Sequence, residues 1–172
     1  VYPSFPMTHV MALPAILRDI EAFRDVLAEH FITFDPGDLD EKRLLLEAHA
    51  AGERGESTIS MTVHGREMDF RVQDIMACAD DIDGQIYARD FKLIDQSDMI
   101  VSYIPALADG SPGLSSGVER ELQHAFEATK EVFVIWRAAA EPYPFVTETA
   151  TGVLRSLAEA MDAFQRRGYI RD

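Results

Sequence analysis

Residues Ile86–Trp136 read IYARDFKLIDQSDMIVSYIPALADGSPGLSSGVERELQHAFEATKEVFVIW. Two runs inside this stretch, Met99–Ile104 (MIVSYI) and Glu131–Trp136 (EVFVIW), are almost entirely apolar. Such runs suit strands buried on both faces of a parallel sheet. Between them lie a loop of small residues, Pro105–Ser116, and a helical stretch, Gly117–Thr129. The stretch therefore predicts strand, loop, helix and strand. The loop Gly110-Ser-Pro-Gly-Leu-Ser-Ser-Gly117 opens a helix whose first backbone N–H groups have no partner within the helix. Such a turn can cradle a phosphate or sugar hydroxyls.

Working outward, Gln73–Gln96 keeps helical spacing through Ile75, Ala79, Ile82, Ile86, Phe91 and Ile94, with Gly84 as the expected break. Thr58–Val63 and Met68–Val72 flank His64-Gly65-Arg66-Glu67, which predicts a β-hairpin. Residues 39–51 read as a helix with Leu44, Leu45 and Ala48 inward, and GERGES (52–57) as an exposed link. Phe31–Phe34 reads as a short strand stopped by Asp35-Pro36-Gly37. Ile16, Leu17, Ile20, Phe23, Val26, Leu27 and Phe31 line one face of a first long helix. A short strand opens the chain and leads into a Pro-punctuated loop, Pro3–Val10. At the other end, residues 137–149 read as a Pro-bearing loop and 150–167 as a last amphipathic helix.

Helix and strand alternate without an internal repeat, which predicts an α/β fold. The expected architecture is a flavodoxin- or Rossmann-like three-layer sandwich: a central, mainly parallel sheet of roughly five strands with helices on both faces. Sheets of this kind bind ligands outside the carboxyl ends of their strands. Three loops should meet there: Pro3–Val10, Pro105–Ser116 and Arg137–Thr149.

The 172 residues fit one domain over 1–172, with 47% hydrophobic and 27% charged residues. Opening on Val1 rather than Met, the sequence leaves room for an upstream segment. A net charge of −14 without a Lys/Arg cluster argues against nucleic-acid polymers as partners. No apolar run approaches the roughly 18–20 residues that span a bilayer, so no membrane partner is expected. The single cysteine, Cys78, excludes an internal disulfide and fits a reducing, cytoplasmic setting. It sits on an apolar helical face, so it reads as core. The histidines, His9, His30, His49, His64 and His124, show no metal-ligand spacing. No metal and no cofactor is therefore expected. The absence of a Walker A loop or a GxGxxG turn disfavours a kinase or a Rossmann oxidoreductase.

Glu121 lies about one turn inside the helix that follows the Gly/Ser loop. The helix N-terminus favours its ionised form. Near a sugar-binding turn, a carboxylate can attack an anomeric carbon or stabilise an oxocarbenium-like transition state. Tyr87-Ala-Arg-Asp90, Ser97-Asp98-Met-Ile-Val, Gly117-Val-Glu-Arg-Glu121 with Ala125, and Lys130-Glu-Val132 follow one another in a distinctive order. This order resembles the nucleoside 2-deoxyribosyltransferase superfamily, which includes nucleoside 5′-monophosphate N-glycosidases. The likeness is close over about residues 86–136 and looser elsewhere. Val1-Tyr2 and Phe34-Asp-Pro36 look like that family's first strand and the end of its second.

The resemblance implies that Glu121 is the nucleophile and that Asp90 helps the leaving base take a proton. Tyr2 and Ser4 would line the substrate pocket, and the turn Ser115, Ser116 and Gly117 would hold a 5′-phosphate. Ser115 falls where family members acting on free nucleosides carry Asp and monophosphate hydrolases carry Ser, which points to a nucleoside 5′-monophosphate. Two departures stand out: Glu119 replaces the family's second Gly in the helix turn, and the first loop reads Pro3-Ser-Phe-Pro6 without a Gly-rich run. The resemblance also implies a homo-oligomer, with Tyr169 and the aromatic or Met-bearing face of the last helix available to a neighbour.

Plainer readings stand beside these. Ser116-Gly-Val-Glu119 is a capping box, and Glu121 can be a solvated helix residue. Asp90 can pair with Arg89 or Lys92. Asp98 can fix the turn into its strand, Tyr2 can pack at a frayed terminus, and Trp136 can be packing alone. His9 and His124 need no role. The competing functions are N-glycosidic cleavage or deoxyribosyl transfer by an enzyme, nucleotide sensing without turnover, and cleavage of NAD.

Overall fold

The computed structural model describes residues 1–7, 10, 12–37, 40–63 and 65–171, and the backbone alone for Asp40, Glu41, Lys42, Asp80, Ile82 and Asp83. His9, the His64 position of the hairpin turn and the inward side chain of Ile82 lie outside the described residues. In chain order the elements are β1 (Tyr2–Ser4), α1 (Pro14–His30), α2 (Asp40–Glu53), β2 (Thr58–Val63), β3 (Arg66–Arg71), α3 (Val72–Ala77), α4 (Ala79–Gln96), β4 (Met99–Ile104), α5 (Ser116–Glu127), β5 (Glu131–Trp136), α6 (Pro144–Thr149), β6 (Gly152–Leu154) and α7 (Leu157–Arg166). They form two compact units, Val1–Pro36 with Phe91–Asp172, and Gly37–Asp90.

The first unit holds a parallel sheet in the order β1-β4-β5-β6. Its centre is the pair read from the sequence, β4 and β5, in register from Met99↔Glu131 to Ile104↔Trp136. Side chains alternate across a strand, and each face has its own core. Met99, Val101, Tyr103, Phe133 and Ile135 pack with Ile20, Phe23 and Leu27 of α1 and Ala160, Ala163 and Phe164 of α7. Ile100, Ile104, Val132, Val134 and Trp136 pack with Val118, Leu122 and Ala125 of α5, with Ile94 of α4 and Val146 of α6. Helices thus cover both faces. Burying a large apolar side chain stabilises by about 1.5–3 kcal/mol, so these two clusters carry the unit.

Among the described residues the sheet has four strands rather than five. The expected strand at Phe31–Phe34 stops after one ladder step: the Val1 nitrogen donates to the Ile32 carbonyl at 2.8 Å, and the Phe34 N–H donates to the Val1 carbonyl at 2.8 Å. Alternate residues of a strand point their N–H groups to the same side. The next donor toward this segment would therefore be residue 3, which is a proline without an N–H. The pairing cannot continue, and Asp35-Pro36 leads the chain away.

The second unit contains α2, α3 and the hairpin β2–β3, paired antiparallel from Thr58↔Arg71 to Val63↔Arg66. The hairpin was legible. Its small core is Ala48, Ala51, Ile59 and Val72.

Four other expectations need correction. The helix over 73–96 is two helices, and they part at Cys78 rather than at Gly84, which lies within α4. Cys78 ends α3 and is partly exposed. Its thiol donates to the Ile75 carbonyl at 3.3 Å, so it is not core. The helix over 150–167 is a short strand followed by a shorter helix. Gly152 lies close against Phe133, where an added Cβ would sit 3.3 Å from the ring. The helix starts where Ser156 accepts from the Glu159 N–H at 3.1 Å. The loop 137–149 contains α6, begun by Pro144 in its first turn, where a missing N–H costs nothing.

Candidate active site

In the first unit, β1 places Tyr2 and Ser4 two residues apart, on one face of the sheet. Ser4 and Ser102 are register partners across β1 and β4. α5 covers this face, turning Val118, Leu122 and Ala125 into the core. Glu121, one turn beyond Val118, is partly exposed. Its carboxylate meets β1: the Tyr2 hydroxyl donates to Glu121 Oε1 at 3.0 Å, and the Ser4 hydroxyl donates to Oε2 at 2.6 Å. Both donors are fully buried, so Tyr2 is not a frayed terminus. Hydrogen bonds to an ionised acceptor are short and strong. These two fix the carboxylate plane.

Sequence reasoning missed Ser102. It is fully buried in β4, and its hydroxyl donates to Ser4 Oγ across 3.4 Å. Its signal was a lone serine in the middle of MIVSYI.

The turn before α5 holds the other predicted residues. The N-cap is Ser115, not Ser116: Ser115 Oγ accepts from the Val118 N–H at 3.3 Å, and the Glu119 N–H donates to the Ser115 carbonyl at 3.0 Å. The capping reading at Ser116 was displaced by one residue, because Ser116 already has helical backbone. Ser116, Gly117 and Glu119 are exposed. A Cβ at Gly117 would meet nothing closer than Ser115 Oγ at 3.7 Å, so packing does not demand glycine there. It does at Gly113, where a Cβ would lie 2.8 Å from the Pro105 ring. Gly110 takes φ +81, a left-handed conformation that suits glycine.

Asp90 belongs to the other unit, where it forms an ion pair with Arg89 Nη2 at 3.2 Å. Its neighbour in the motif, Tyr87, is 70% exposed. Asp98 is exposed, and its carbonyl accepts from the Glu131 N–H at 3.4 Å, which fits the turn role. Trp136 is packing: it is fully buried, and its indole N–H donates to the Ala140 carbonyl at 2.7 Å. His124 contacts Asp95 Oδ1 at 2.8 Å and lies against the Phe91 ring at 4.8 Å, a tie between α5 and α4.

Tyr169 packs on Phe133 and Phe164 and donates to Glu131 Oε1 at 2.6 Å, so its hydroxyl already serves its own chain. Tyr169 is itself exposed, and more strongly exposed aromatics lie elsewhere. A groove of about 370 Å³ between α5 and α6 is lined by Glu119, Leu122, Gln123, Tyr143, Phe145, Val146 and Thr149. Phe145 is 84% exposed. This groove excludes Glu121, and its shape alone would not have found the carboxylate.

Among the described residues, no group of three His, Cys, Asp or Glu side chains is gathered to hold a metal ion, and no helix is long and apolar enough to cross a membrane. No family model, curated protein or solved structure matches the chain.

Proposed function

We propose that this protein cleaves the N-glycosidic bond of a nucleoside 5′-monophosphate, with Glu121 as the nucleophile. The observation that carries the reading is the carboxylate of Glu121 held by the Tyr2 and Ser4 hydroxyls, at the carboxyl end of β1. In a parallel α/β sheet this edge is where ligands bind. It also agrees with the motif likeness to the nucleoside 2-deoxyribosyltransferase superfamily and with a flavodoxin-like form of the fold.

The chemistry follows from a fixed anion. A Glu121 oxygen bonds to C1′ as the C1′–N bond breaks, and the base leaves with the electron pair and takes a proton. Water then opens the glycosyl ester, returning the carboxylate and a free sugar phosphate; a second base in place of water makes the reaction a transfer. The Tyr2 and Ser4 hydroxyls hold the attacking oxygens still, and fixed geometry is a main source of rate enhancement. At the turn, Ser115 Oγ accepts from Val118 and keeps its own proton to give to a phosphate oxygen. The exposed Ser116 and Gly117 leave that approach open.

Asp90 is the weaker assignment. An acid must bring a proton to the bond it breaks, and a carboxylate paired with the Arg89 guanidinium brings none until that pair parts. This observation, with Glu119 exposed in the first turn of α5, favours the second reading, a module that binds a nucleotide without turning it over. Homo-oligomerisation stays part of the main reading and is measured by light scattering.

The test is a panel of ribo- and deoxyribonucleoside 5′-monophosphates, with NAD, assayed chromatographically for free base. Base released from a monophosphate supports the main reading, and nicotinamide released from NAD would replace it with NAD cleavage. Binding without any free base would support the sensing module.

A further inference from the structure

The residues of β4 that face α5 are Ile100, Ser102 and Ile104. Two are apolar, and the middle one carries a hydroxyl with no solvent exposure. Burying a hydroxyl is unfavourable unless it is hydrogen-bonded. Among the described residues, the Ser102 hydroxyl has one partner, Ser4 Oγ at 3.4 Å. That distance is long for O–H···O, so the bond returns little stability by itself.

Proton counting fixes its direction. Each serine hydroxyl has one proton to give. The Ser4 proton lies on the 2.6 Å bond to Glu121 Oε2. Ser102 must therefore be the donor to Ser4. The result is a one-way chain, Ser102 to Ser4 to Glu121, with Tyr2 donating to the other oxygen. A hydroxyl that accepts one hydrogen bond becomes a better donor in the next. Occupying a lone pair of Ser4 also leaves its rotor fewer orientations that satisfy the site.

We infer that Ser102 is a positioning residue for Glu121, acting through the Ser4 hydroxyl to keep its proton aimed at the carboxylate. The inference builds on the reading of Glu121 as the working group, but its test does not require turnover. The carboxyl carbon of Glu121 is followed by NMR through a pH titration of the whole chain, in wild type, Ser102→Ala, Ser4→Ala and the double variant. A donor lost from a carboxylate destabilises its ionised form. Ser4→Ala should therefore raise the pH of half-titration by about 1, and Ser102→Ala by about 0.5. In the Ser4→Ala background, removing the Ser102 hydroxyl should change nothing further, because the effect travels through Ser4.

A Ser102→Ala titration that overlays wild type while Ser4→Ala shifts would overturn the inference. So would a Ser102→Ala shift that persists in full without Ser4. A chain that titrates as expected yet releases no base would refute the glycosidase and leave the positioning role standing. If base is released, Ser102→Ala should lower kcat several-fold with KM unchanged, and equal kinetics would count against the role.

Discussion

The Glu121 carboxylate reached across 119 and 117 positions of sequence to its two donors, yet all three residues were named from the sequence. They were legible because the motif Gly117-Val-Glu-Arg-Glu121 and the opening strand each carry a chemical signature. Ser102 was not legible: one serine in an apolar strand looks like tolerance, until register places it opposite Ser4. Tyr103, one position on, faces the other core and shows the opposite case. Burial pushes its phenol above the ordinary tyrosine range, the Asp19 charge adds to this, and Arg137 opposes it. The folded chain therefore holds this proton more tightly than the unfolded chain. Its contribution to stability is intact below the unfolded value of about 10 and is lost as pH rises through the raised folded value. Denaturant midpoints should fall as pH rises above the unfolded value of about 10, and Tyr103→Phe should flatten that fall. Parallel curves for the two proteins would contradict the assignment.

At the scale of elements, periodicity found the helices and strands, and the ends were decided by single contacts that no pattern displays. α5 begins one residue earlier than its capping box suggests, because Ser115 rather than Ser116 accepts from the Val118 N–H. Ser115→Ala should then cost about 1 kcal/mol in chemical denaturation, while Ser116→Ala should stay within about 0.5 kcal/mol. Equal costs would return the cap to Ser116. The missing fifth strand has a similar cause. Phe31–Phe34 has strand composition, but Pro3 withholds the donor needed for a second ladder step. In 150–167 the helical period was real from Leu157 onward. The preceding Gly-Val-Leu pairs with β5, a long-range choice that local spacing does not encode.

At the scale of the whole molecule, the alternation of helix and strand was enough to predict an α/β sheet with helices on both faces. It did not reveal that Gly37–Asp90 forms a compact unit of its own. The core cluster of that unit among the described residues is small, Ala48, Ala51, Ile59 and Val72, two of them alanine. The sheet unit rests on two large clusters. Amides of α2 and the β2–β3 hairpin should therefore exchange with solvent through openings of lower free energy than those of β4 and β5. Native-state hydrogen exchange reads this directly, and uniform protection across both units would contradict it.

The central claim is that Glu121 breaks a glycosidic bond. Its most direct test is base release by wild type and Glu121→Gln side by side, on whichever monophosphate the panel identifies, with matching amide NMR spectra to show that the fold is kept. The proposed nucleophilic role predicts a loss of at least about a thousandfold in kcat for Glu121→Gln, because the glutamine amide cannot form the glycosyl ester. Undiminished base release from a correctly folded Glu121→Gln would contradict the account.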